Sequence, residues 1–266
     1  MIQLNVIAGL LLRYILLYSR NAIRLIELVF WPAVDLMVWG FLTVFLKENT
    51  TGDFPHFISF LIAAMIFWDI LFRAQQGLAI SFLEDVWTRN LLNVFVAPVR
   101  PSEYILATAL VGLLRVAVTV IVLTLLAWGA YAFHIWDFHF LLIPFFANLL
   151  VFGWSLGMVS VSLILRFGQA AESLGWAVPF LIQPVSAVFY PVSVLPAWLQ
   201  PVALCLPSTH VFEGMRAVLA GQATPTGHLL AAAGLNIIFL ALAAWLFAAT
   251  LRSARQRGLL VKIATQ

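Results

Sequence analysis

Residues 104–131 read YILATALVGLLRVAVTVIVLTLLAWGAY, a long and mostly apolar run of the chain. Arg115 is the only charged residue in this stretch. A helix needs about 20 mostly apolar residues to cross the hydrocarbon core of a bilayer. The run meets that length, and it does not alternate between apolar and polar positions as the strands of a membrane barrel do. It therefore predicts a transmembrane helix, in which every backbone group is bonded within the segment.

The composition of the whole chain points the same way. Of 266 residues, 64% are hydrophobic and 9% are charged, whereas soluble domains carry roughly 25% charged residues. Mean hydropathy is +1.04. A soluble fold of this size cannot bury so much apolar surface. These values exclude a disordered chain, a disulfide scaffold and a nucleic-acid-binding domain, and they indicate an integral membrane protein whose main partner is the lipid bilayer.

The same length criterion predicts six spans in one transmembrane domain that covers residues 1–266. The expected fold is an all-α integral membrane protein. The predicted spans are residues 27–46, 56–80, 104–133, 139–165, 172–190 and 227–250.

Orientation follows from the lysines and arginines that flank the spans, because cytoplasmic loops carry an excess of them. Ten such residues fall on one side and only Lys47 and Arg216 on the other. Both termini are therefore expected to be cytoplasmic, with residues 251–266 as a cytoplasmic tail. The ten are Arg13, Arg20, Arg24, Arg89, Arg100, Arg166, Arg252, Arg255, Arg257 and Lys262.

The first 26 residues are too polar to form a span. Arg13, Arg20, Arg24 and Glu27 are separated by seven, four and three residues, which predicts one shared face of a single helix. Residues 1–26 are therefore expected to lie as an interfacial helix on the cytoplasmic surface, ahead of the first span. The alternative is that they are the frayed beginning of one long first helix.

Residues 81–97, between the second and third spans, carry the pattern of a short amphipathic helix. Ser81 and Glu84 have the spacing of a capping box, which predicts that a new helix begins at Ser81. Asp85 also suits the positive end of that helix, and Pro98 ends it. Such a helix either docks on a cytoplasmic partner or rests on the membrane surface.

Residues 191–221 are apolar but are divided into pieces too short to cross a bilayer. Six of the twelve prolines fall between Pro179 and Pro207, and Pro179 and Pro184 are expected to break the fifth span. The pattern predicts two short helices that enter the outer leaflet and return, the second beginning at Pro207 and ending at Gly221. Backbone of this kind must pack on protein or line a cavity. The alternative is a loop over the outer mouth without substrate contact.

Four charged residues lie away from the ends of the predicted spans, at depths where charges are costly: Asp35, Asp69, Arg73 and Arg115. Asp69 and Arg73 are four residues apart and are placed to pair on one helix. Arg115 lies deepest, and Asp35 or Asp69 is expected to neutralise it. The four residues have either a purely structural pairing role or a place along a translocation path.

Small residues predict where the helices approach closely. Gly153 and Gly157 have the spacing that brings helix backbones together. Thr108, Gly112, Arg115 and Thr119 share one face of the third span, which either packs on a neighbouring helix or lines a polar passage. Cys205 is the only cysteine, and it is expected to be a small packing residue.

The order of these features resembles the membrane subunits of ABC-2 type exporters, which move polysaccharides, lipo-oligosaccharides and drugs. The resemblance covers nearly the whole chain. Its most specific part is residues 191–221 with the preceding Tyr190, called the outer segment below. The residues that carry it there are Tyr190 and Pro191, Pro196 and Trp198, Pro207, and Glu213 with Arg216.

The resemblance implies an assembly and a set of contacts. Two copies of the chain, expected as a homodimer, would form the channel in a bacterial-type inner membrane, and two cytoplasmic ATPase subunits would drive it. Residues 1–26 would be the elbow helix and residues 81–97 the coupling helix that enters a cleft of the ATPase. The first and fifth spans would form much of the dimer interface. The implied ATPase contact consists of Glu84, Asp85, Trp87, Arg89 and Asn90.

The chain has no Gly-x-x-x-x-Gly-Lys-Ser/Thr phosphate loop, so ATP and Mg²⁺ are expected on the separate ATPase subunit. No catalytic residue, cofactor or metal site is predicted in this chain. Together these features favour a permease subunit of an ATP-driven exporter for an amphiphile such as a drug, a lipid or a lipid-linked glycan.

Two other functions compete with this interpretation. An ion-coupled secondary transporter would use Asp35 or Asp69 as a proton carrier, but the spans show no internal repeat. An intramembrane enzyme would need a reactive cluster, and the five histidines form no His-Glu-x-x-His pattern. If the exporter interpretation holds, replacing both Glu84 and Asp85 by alanine is expected to uncouple the complex.

Overall fold

The computed structural model describes residues 3–49, 55–222 and 225–258, and every regular element in these ranges is helical. Short 3-10 segments follow the fifth, sixth and seventh helices at Ile135–Leu141, Gly168–Ala171 and Val192–Val194. The α-helices are α1 Leu4–Ser19, α2 Ala22–Asn49, α3 Pro55–Trp87, α4 Leu91–Val96, α5 Pro101–Tyr131, α6 Leu142–Phe167, α7 Glu172–Ile182, α8 Gln200–Leu204, α9 Pro207–Leu219 and α10 Thr226–Gln256.

Four of these helices are long and apolar enough to cross a membrane: α2 over Ala22–Phe45, α5, α6 and α10. The described part of α3 is not among them, although the helix has 33 residues. The expected fifth span is broken before Pro184, since α7 has 11 residues and ends at Ile182. The all-helical membrane fold therefore stands, and the count of six spans stays a prediction.

The centre of the bundle is α3, which packs against α5 on one side and α6 on the other. Glycines make both approaches possible. A Cβ at Gly77 would lie 2.9 Å from the backbone nitrogen of Gly112 in α5, and a Cβ at Gly153 of α6 would lie 2.6 Å from the Cβ of Ala74. The packing role predicted for Gly153 and Gly157 is confirmed, and the face of α5 that contains Gly112 also packs on a helix.

Helix α6 in turn packs on α10. The amide nitrogen of Asn236 in α10 donates to both the backbone oxygen and the side-chain oxygen of Asn148, at 3.0 and 2.9 Å. Asn236 is only 4% exposed, so this pair joins the two helices in an otherwise apolar contact.

One end of the bundle collects most of the arginines. Arg13 and Arg24 reach the end of α3, Arg255 lies over the ring of Phe95 in α4, and Arg166 and Arg257 line one cavity between α6 and α10. We call this the arginine-rich end. The positive-inside rule predicts that this end is cytoplasmic, which stays a prediction. The remaining predicted tail residues, 259–266, with Lys262, lie outside the described residues.

The N-terminal segment differs from the expected single helix over residues 1–26. The helix is interrupted at Arg20 and Asn21. The side chain of Asn21 caps the beginning of α2, because its oxygen accepts hydrogen bonds from the backbone N–H groups of Ile23 and Arg24, at 3.1 and 3.4 Å. Arg24 and Glu27 therefore lie on α2 rather than on a common face with Arg13. The interfacial position of α1 stays a prediction.

The prediction that a helix begins at Ser81 is wrong. Helix α3 continues through Ser81 and Glu84 to Trp87, and the capping-box spacing is occupied by residues in its interior. Its end is a left-handed turn: Arg89 has φ 55°, and the backbone N–H of Asn90 donates to the oxygen of Asp85 at 2.8 Å. The second helix of the predicted segment is α4, only 6 residues long.

The outer segment contains α8 and α9, with α9 beginning at Pro207 as expected and ending shortly before Gly221, which has φ 69°. Residues Ser208, Thr209, Phe212 and Met215 of α9 are buried against the bundle. Cys205 is exposed in this chain, so its predicted packing role is wrong.

Candidate functional site

A groove runs along the bundle beside α3, with α2 on one flank and α7 on the other. Its half nearer the arginine-rich end has a volume of about 480 Å³. The adjoining half, which lies farther from the arginine-rich end and is called the outer half below, has a volume of about 530 Å³. Both halves share Trp31, Arg73 and Trp176, so they form one continuous groove. Its wall combines large aromatic rings with charged side chains.

The outer half of the groove contains the predicted pair of Asp69 and Arg73. The Nε of Arg73 donates to Asp69 Oδ1 at 3.2 Å, one turn along α3. Asp35 of α2 lines the same half and lies within electrostatic reach of Arg73. Asp69 is 8% exposed, and its Oδ2 has no hydrogen-bond partner among the residues that the structure describes.

Arg115 lines the other half of the groove, and its predicted neutralisation by Asp35 or Asp69 is wrong. Its guanidinium lies over the ring of Tyr18, 4.2 Å from the ring centre. It forms no ion pair with any acid in the described chain, and its buried Nε and Nη2 donate no hydrogen bond there. The two aspartates are engaged farther along α3, around Arg73.

The energetics make the isolation of Arg115 significant. A desolvated cation–π contact contributes about 2 kcal/mol, whereas removing a guanidinium from water costs several kcal/mol even after relaxation. Arginine cannot lose its proton to escape this cost. The Tyr18 ring therefore offsets only part of the cost of burying Arg115.

The end of α3 holds a buried cluster of hydrogen bonds around Asp85, which we call the Asp85 latch: Arg13, Tyr14, Asp85 and Tyr104. Arg13 forms an ion pair with Asp85. The hydroxyls of Tyr14 and Tyr104 both donate to Asp85 Oδ2, at 2.7 and 2.9 Å. Asp85, Tyr14 and Tyr104 are at most 1% exposed. The latch therefore fastens α1 and the beginning of α5 to the end of α3.

Glu84 makes a second set of contacts beside the latch. Its Oε1 accepts from the Tyr18 hydroxyl at 3.0 Å and from Arg24 Nη1 at 2.9 Å. Burial raises the pKa of Tyr18 to about 12, since the field of Arg115 that opposes this shift is the weaker effect, so the hydroxyl remains a donor at physiological pH. Glu84 thus joins α1, α2 and α3 at the edge of the groove.

These contacts show where the structure places the five residues implied as an ATPase contact, a role that stays a prediction. Glu84 and Asp85 are 4% and 0% exposed, and their carboxylates face arginines and tyrosines of this chain. Trp87 and Arg89 are exposed, and Asn90 is half-buried. The indole of Trp87 also donates to Glu172 Oε2 at 3.1 Å, which connects the end of α3 to the beginning of α7.

The outer segment is held by the pair formed by Glu213 and Arg216, which the three-residue spacing predicted. Arg216 Nη2 donates to Glu213 Oε1 at 3.1 Å and to the backbone oxygen of Ala187 at 2.7 Å. Glu213 Oε1 also accepts from the backbone N–H of Val192 at 2.7 Å. The pair therefore ties the irregular stretch after α7 to α9.

Among the other outer residues, the Tyr190 hydroxyl donates to the backbone oxygen of Pro184 across the turn after α7. Pro191 precedes the 3-10 segment, and the backbone oxygen of Pro196 accepts from Leu199 N–H at 2.8 Å. Trp198 is 74% exposed. These residues shape the segment, and none of them lines the groove described above.

Replacing Glu213 by alanine is expected to lower the free energy of unfolding by about 1–3 kcal/mol, because it leaves the buried part of Arg216 and the Val192 N–H without their acceptor. Thermal unfolding of the purified chain in detergent measures this. Gln222→Ala, at an exposed position just after α9, is the control and should leave the midpoint unchanged. An unchanged midpoint for both variants would contradict a structural role for the pair.

Sequence reasoning missed the tyrosines and glutamines that complete these clusters. Tyr14 and Tyr18 are four residues apart, which indicates that they share a face of α1. Their acidic partners, Asp85 and Glu84, are more than 60 residues away in the sequence and could not be identified from it. Gln75 is 0% exposed, and its amide donates to Ser160 Oγ and to the Gly175 oxygen, both at 2.8 Å. It thereby connects α3 to α6 and α7 beneath the groove.

Comparison with known proteins identifies the family. A family model described as ABC-2 type transporter matches residues 6–220. No curated protein matches the chain. The matched range includes α1, the Asp85 latch, the groove and α9, which is well over half of the sequence. The chain is therefore a multi-pass membrane component of an ABC transporter, a permease that works in general with an ABC ATPase, and it belongs to the ABC-2 type transporter family.

Proposed function

We propose that the chain is the membrane subunit of an ATP-driven exporter that moves an amphiphile from the cytoplasmic side of a bacterial-type inner membrane. The family match over residues 6–220 carries this proposal. ATP and Mg²⁺ bind a separate ATPase subunit, two copies of which drive two copies of the permease. This chain contributes the path and the mechanical coupling.

The coupling surface in this proposal is the turn between α3 and α4. Trp87 and Arg89 offer exposed side chains there, and Asn93 of α4 is exposed beside them. Glu84 and Asp85 lie about one helical turn before this surface. Their carboxylates bind Arg13 of α1, Arg24 of α2 and Tyr104 of α5. A force applied to the turn by an ATPase therefore reaches three helices through buried polar contacts, and reaches α7 through Trp87 and Glu172.

The groove supplies the path. Helices α2 and α7 flank it, and α2 exposes an apolar face that includes Phe30, Met37 and Phe41. In the proposed homodimer, a second copy of the chain lies against α2 and α7, encloses the groove and covers this face, so that the path runs between the two subunits.

Cysteine cross-linking tests the location of the coupling surface, because the chain has one cysteine. In a Cys205→Ala background, Arg89→Cys is expected to form a cross-link, through a short bifunctional reagent, to a companion protein that contains a phosphate loop. Trp136→Cys is the matched control, since Trp136 is 72% exposed and follows α5 at the opposite end of the bundle. Mass spectrometry identifies the cross-linked product. Capture of the ATPase by Trp136→Cys and not by Arg89→Cys would overturn the assignment.

A substitution of Arg89 can distinguish the contribution of its side chain to ATPase binding from the contribution of the turn in which it lies. Its φ of 55° costs roughly 1 kcal/mol for a residue with a Cβ, and glycine adopts this conformation freely. Arg89→Gly is therefore expected to keep or raise thermal stability while reducing the amount of ATPase that copurifies. Arg252→Gly is not equivalent, because it would weaken α10, so Arg252→Ala is the appropriate control. Full ATPase recovery with Arg89→Gly would show that the side chain is not part of the contact.

A further inference from the structure

The groove contains one cation whose counterion the described chain does not supply. Three guanidinium groups line its half nearer the arginine-rich end: Arg24, Arg73 and Arg115. Glu84 binds Arg24, and Asp69 binds Arg73. Arg115 has neither an ion pair nor a hydrogen bond from its buried Nε and Nη2 in the described residues. Arg115 is therefore the one guanidinium of this set without an acidic contact in the described residues.

Nearby acids do not supply that contact. Glu84 is the acid whose charge interacts with that of Arg115. Its Oε1, however, already accepts hydrogen bonds from Arg24 and from the Tyr18 hydroxyl. Glu27 lines the rim of the groove on an exposed part of α2 and forms no ion pair with Arg115. Asp35 lines the adjoining half, where it lies within electrostatic reach of Arg73. Arg115 is 7% exposed and therefore receives little help from solvent.

The surroundings of Arg115 also indicate what the rest of a ligand would contact. Trp31, Trp87 and Trp176 line the same half of the groove, and Trp31 and Trp176 continue into the outer half. Guanidinium groups bind phosphate and carboxylate through paired N–H donors. Indole rings bury apolar chains or the faces of sugar rings next to such a group.

We propose that Arg115 binds the acidic head group of the transported amphiphile, a phosphate or a carboxylate, while the body of the molecule lies along the tryptophans of the groove. This inference rests on the proposed export function, since it names the substrate class of that path. The anion satisfies the buried donors of Arg115 and supplies the acidic contact that this guanidinium lacks within the described chain. A neutral amphiphile of the same shape does neither.

Equilibrium binding to the full-length chain, purified in a neutral detergent, tests this. The probe is short-chain phosphatidic acid, and the comparison is diacylglycerol with the same acyl chains. Quenching of the intrinsic tryptophan fluorescence reports binding. Phosphatidic acid is expected to bind saturably and more tightly than diacylglycerol. Arg115→Gln should weaken phosphatidic acid binding by roughly tenfold or more, with little effect on diacylglycerol.

Arg115→Lys keeps the charge but loses the paired donors, so it should retain more affinity than Arg115→Gln. Arg252→Gln, at an exposed arginine of α10, should bind as the unaltered chain does. Size-exclusion profiles establish that each variant is folded. If Arg115→Gln aggregates, the ratio of phosphatidic acid to diacylglycerol affinity in the unaltered chain and in Arg115→Lys decides the question.

Three results would overturn the proposal. The first is equal affinity of the unaltered chain for phosphatidic acid and diacylglycerol, or no effect of either Arg115 variant. The second is binding of inorganic phosphate as tightly as phosphatidic acid, which would identify a free anion as the ligand. The third is conversion of a dimer to a monomer by Arg115→Gln, which would place the counterion on a second copy of the chain.

The binding measurement uses no ATPase, so its failure is distinguishable from failure of the export function. A chain that copurifies with an ATPase but shows no preference for the acidic amphiphile loses only this inference. A chain that has no ATPase companion loses the proposed function, whatever it binds.

Discussion

Replacing Asp85 by alanine is expected to detach α1 from the bundle and to lower the free energy of unfolding by about 3–5 kcal/mol. The carboxylate is fully buried and serves Arg13, Tyr14 and Tyr104 at once. Its removal leaves two tyrosine hydroxyls without their acceptor in an interior that excludes water, and each such loss is costly. Thermal unfolding and limited trypsin digestion at Arg20, in the break between α1 and α2, measure the two effects.

Two variants sharpen this prediction. Asp85→Asn keeps an oxygen for the tyrosine hydroxyls but loses the ion pair with Arg13, so it should fall between alanine and the unaltered chain. Glu27→Ala removes an exposed carboxylate from α2 and should change neither the unfolding midpoint nor cleavage at Arg20. Cleavage and stability of Asp85→Ala that match those of Glu27→Ala would refute the latch.

The latch also changes the meaning of the double replacement of Glu84 and Asp85. The sequence predicted that this change removes a docking surface. The structure predicts instead that it releases α1 and α2 from α3 and destabilises the permease itself. Uncoupling is still the expected outcome, but a structural loss precedes it, and the single replacement of Arg89 is the cleaner test of contact.

Replacing Gly77 by alanine is expected to separate α3 from α5. A Cβ at this position would collide with the Cα of Gly112 and lie 2.9 Å from its nitrogen and 3.3 Å from the oxygen of Thr108. All three are backbone atoms, which cannot move aside as a side chain can. Overpacking of this kind costs about 1–3 kcal/mol or more, and it disturbs the contact that places Arg115 beside the groove. The fraction of the chain that stays monodisperse after heating measures the loss.

Gly129→Ala is the control, because Gly129 lies on α5, the helix that Gly77 of α3 contacts, and no atom lies within 4 Å of the Cβ that the change would add. Alanine is the better helix former by roughly 1 kcal/mol, so this variant should be as stable as the unaltered chain or slightly more stable. If Gly77→Ala and Gly129→Ala behave alike, the two helices are not in the close contact described.

The helices could be predicted from the sequence because their apolar runs are long and because a bilayer leaves few alternatives. Residues 104–133 and 227–250 correspond closely to α5 and α10. Helix ends were harder to predict. Ser81 and Glu84 match a capping box, but the tertiary contacts of Glu84 with Tyr18 and Arg24 explain that glutamate better than a cap does.

The candidate site was predictable only where partners are close in sequence. Asp69 with Arg73 and Glu213 with Arg216 follow from spacing on a single helix. The partner of Arg115 did not follow, because residues 18 and 115 are brought together only by the packing of α1 against α5. Long-range polar contacts such as those of Asp85 leave no periodic pattern in the sequence.

The measurement that tests the central claim most directly is the identification of what copurifies with the tagged chain from native membranes in a mild detergent. The account predicts a companion that contains a phosphate-binding loop, present in a one-to-one ratio by quantitative mass spectrometry. A chain that repeatedly purifies without such an ATPase, under several gentle conditions, would contradict an ATP-driven permease. It would direct attention to Asp35 and Asp69 as ion-coupling residues.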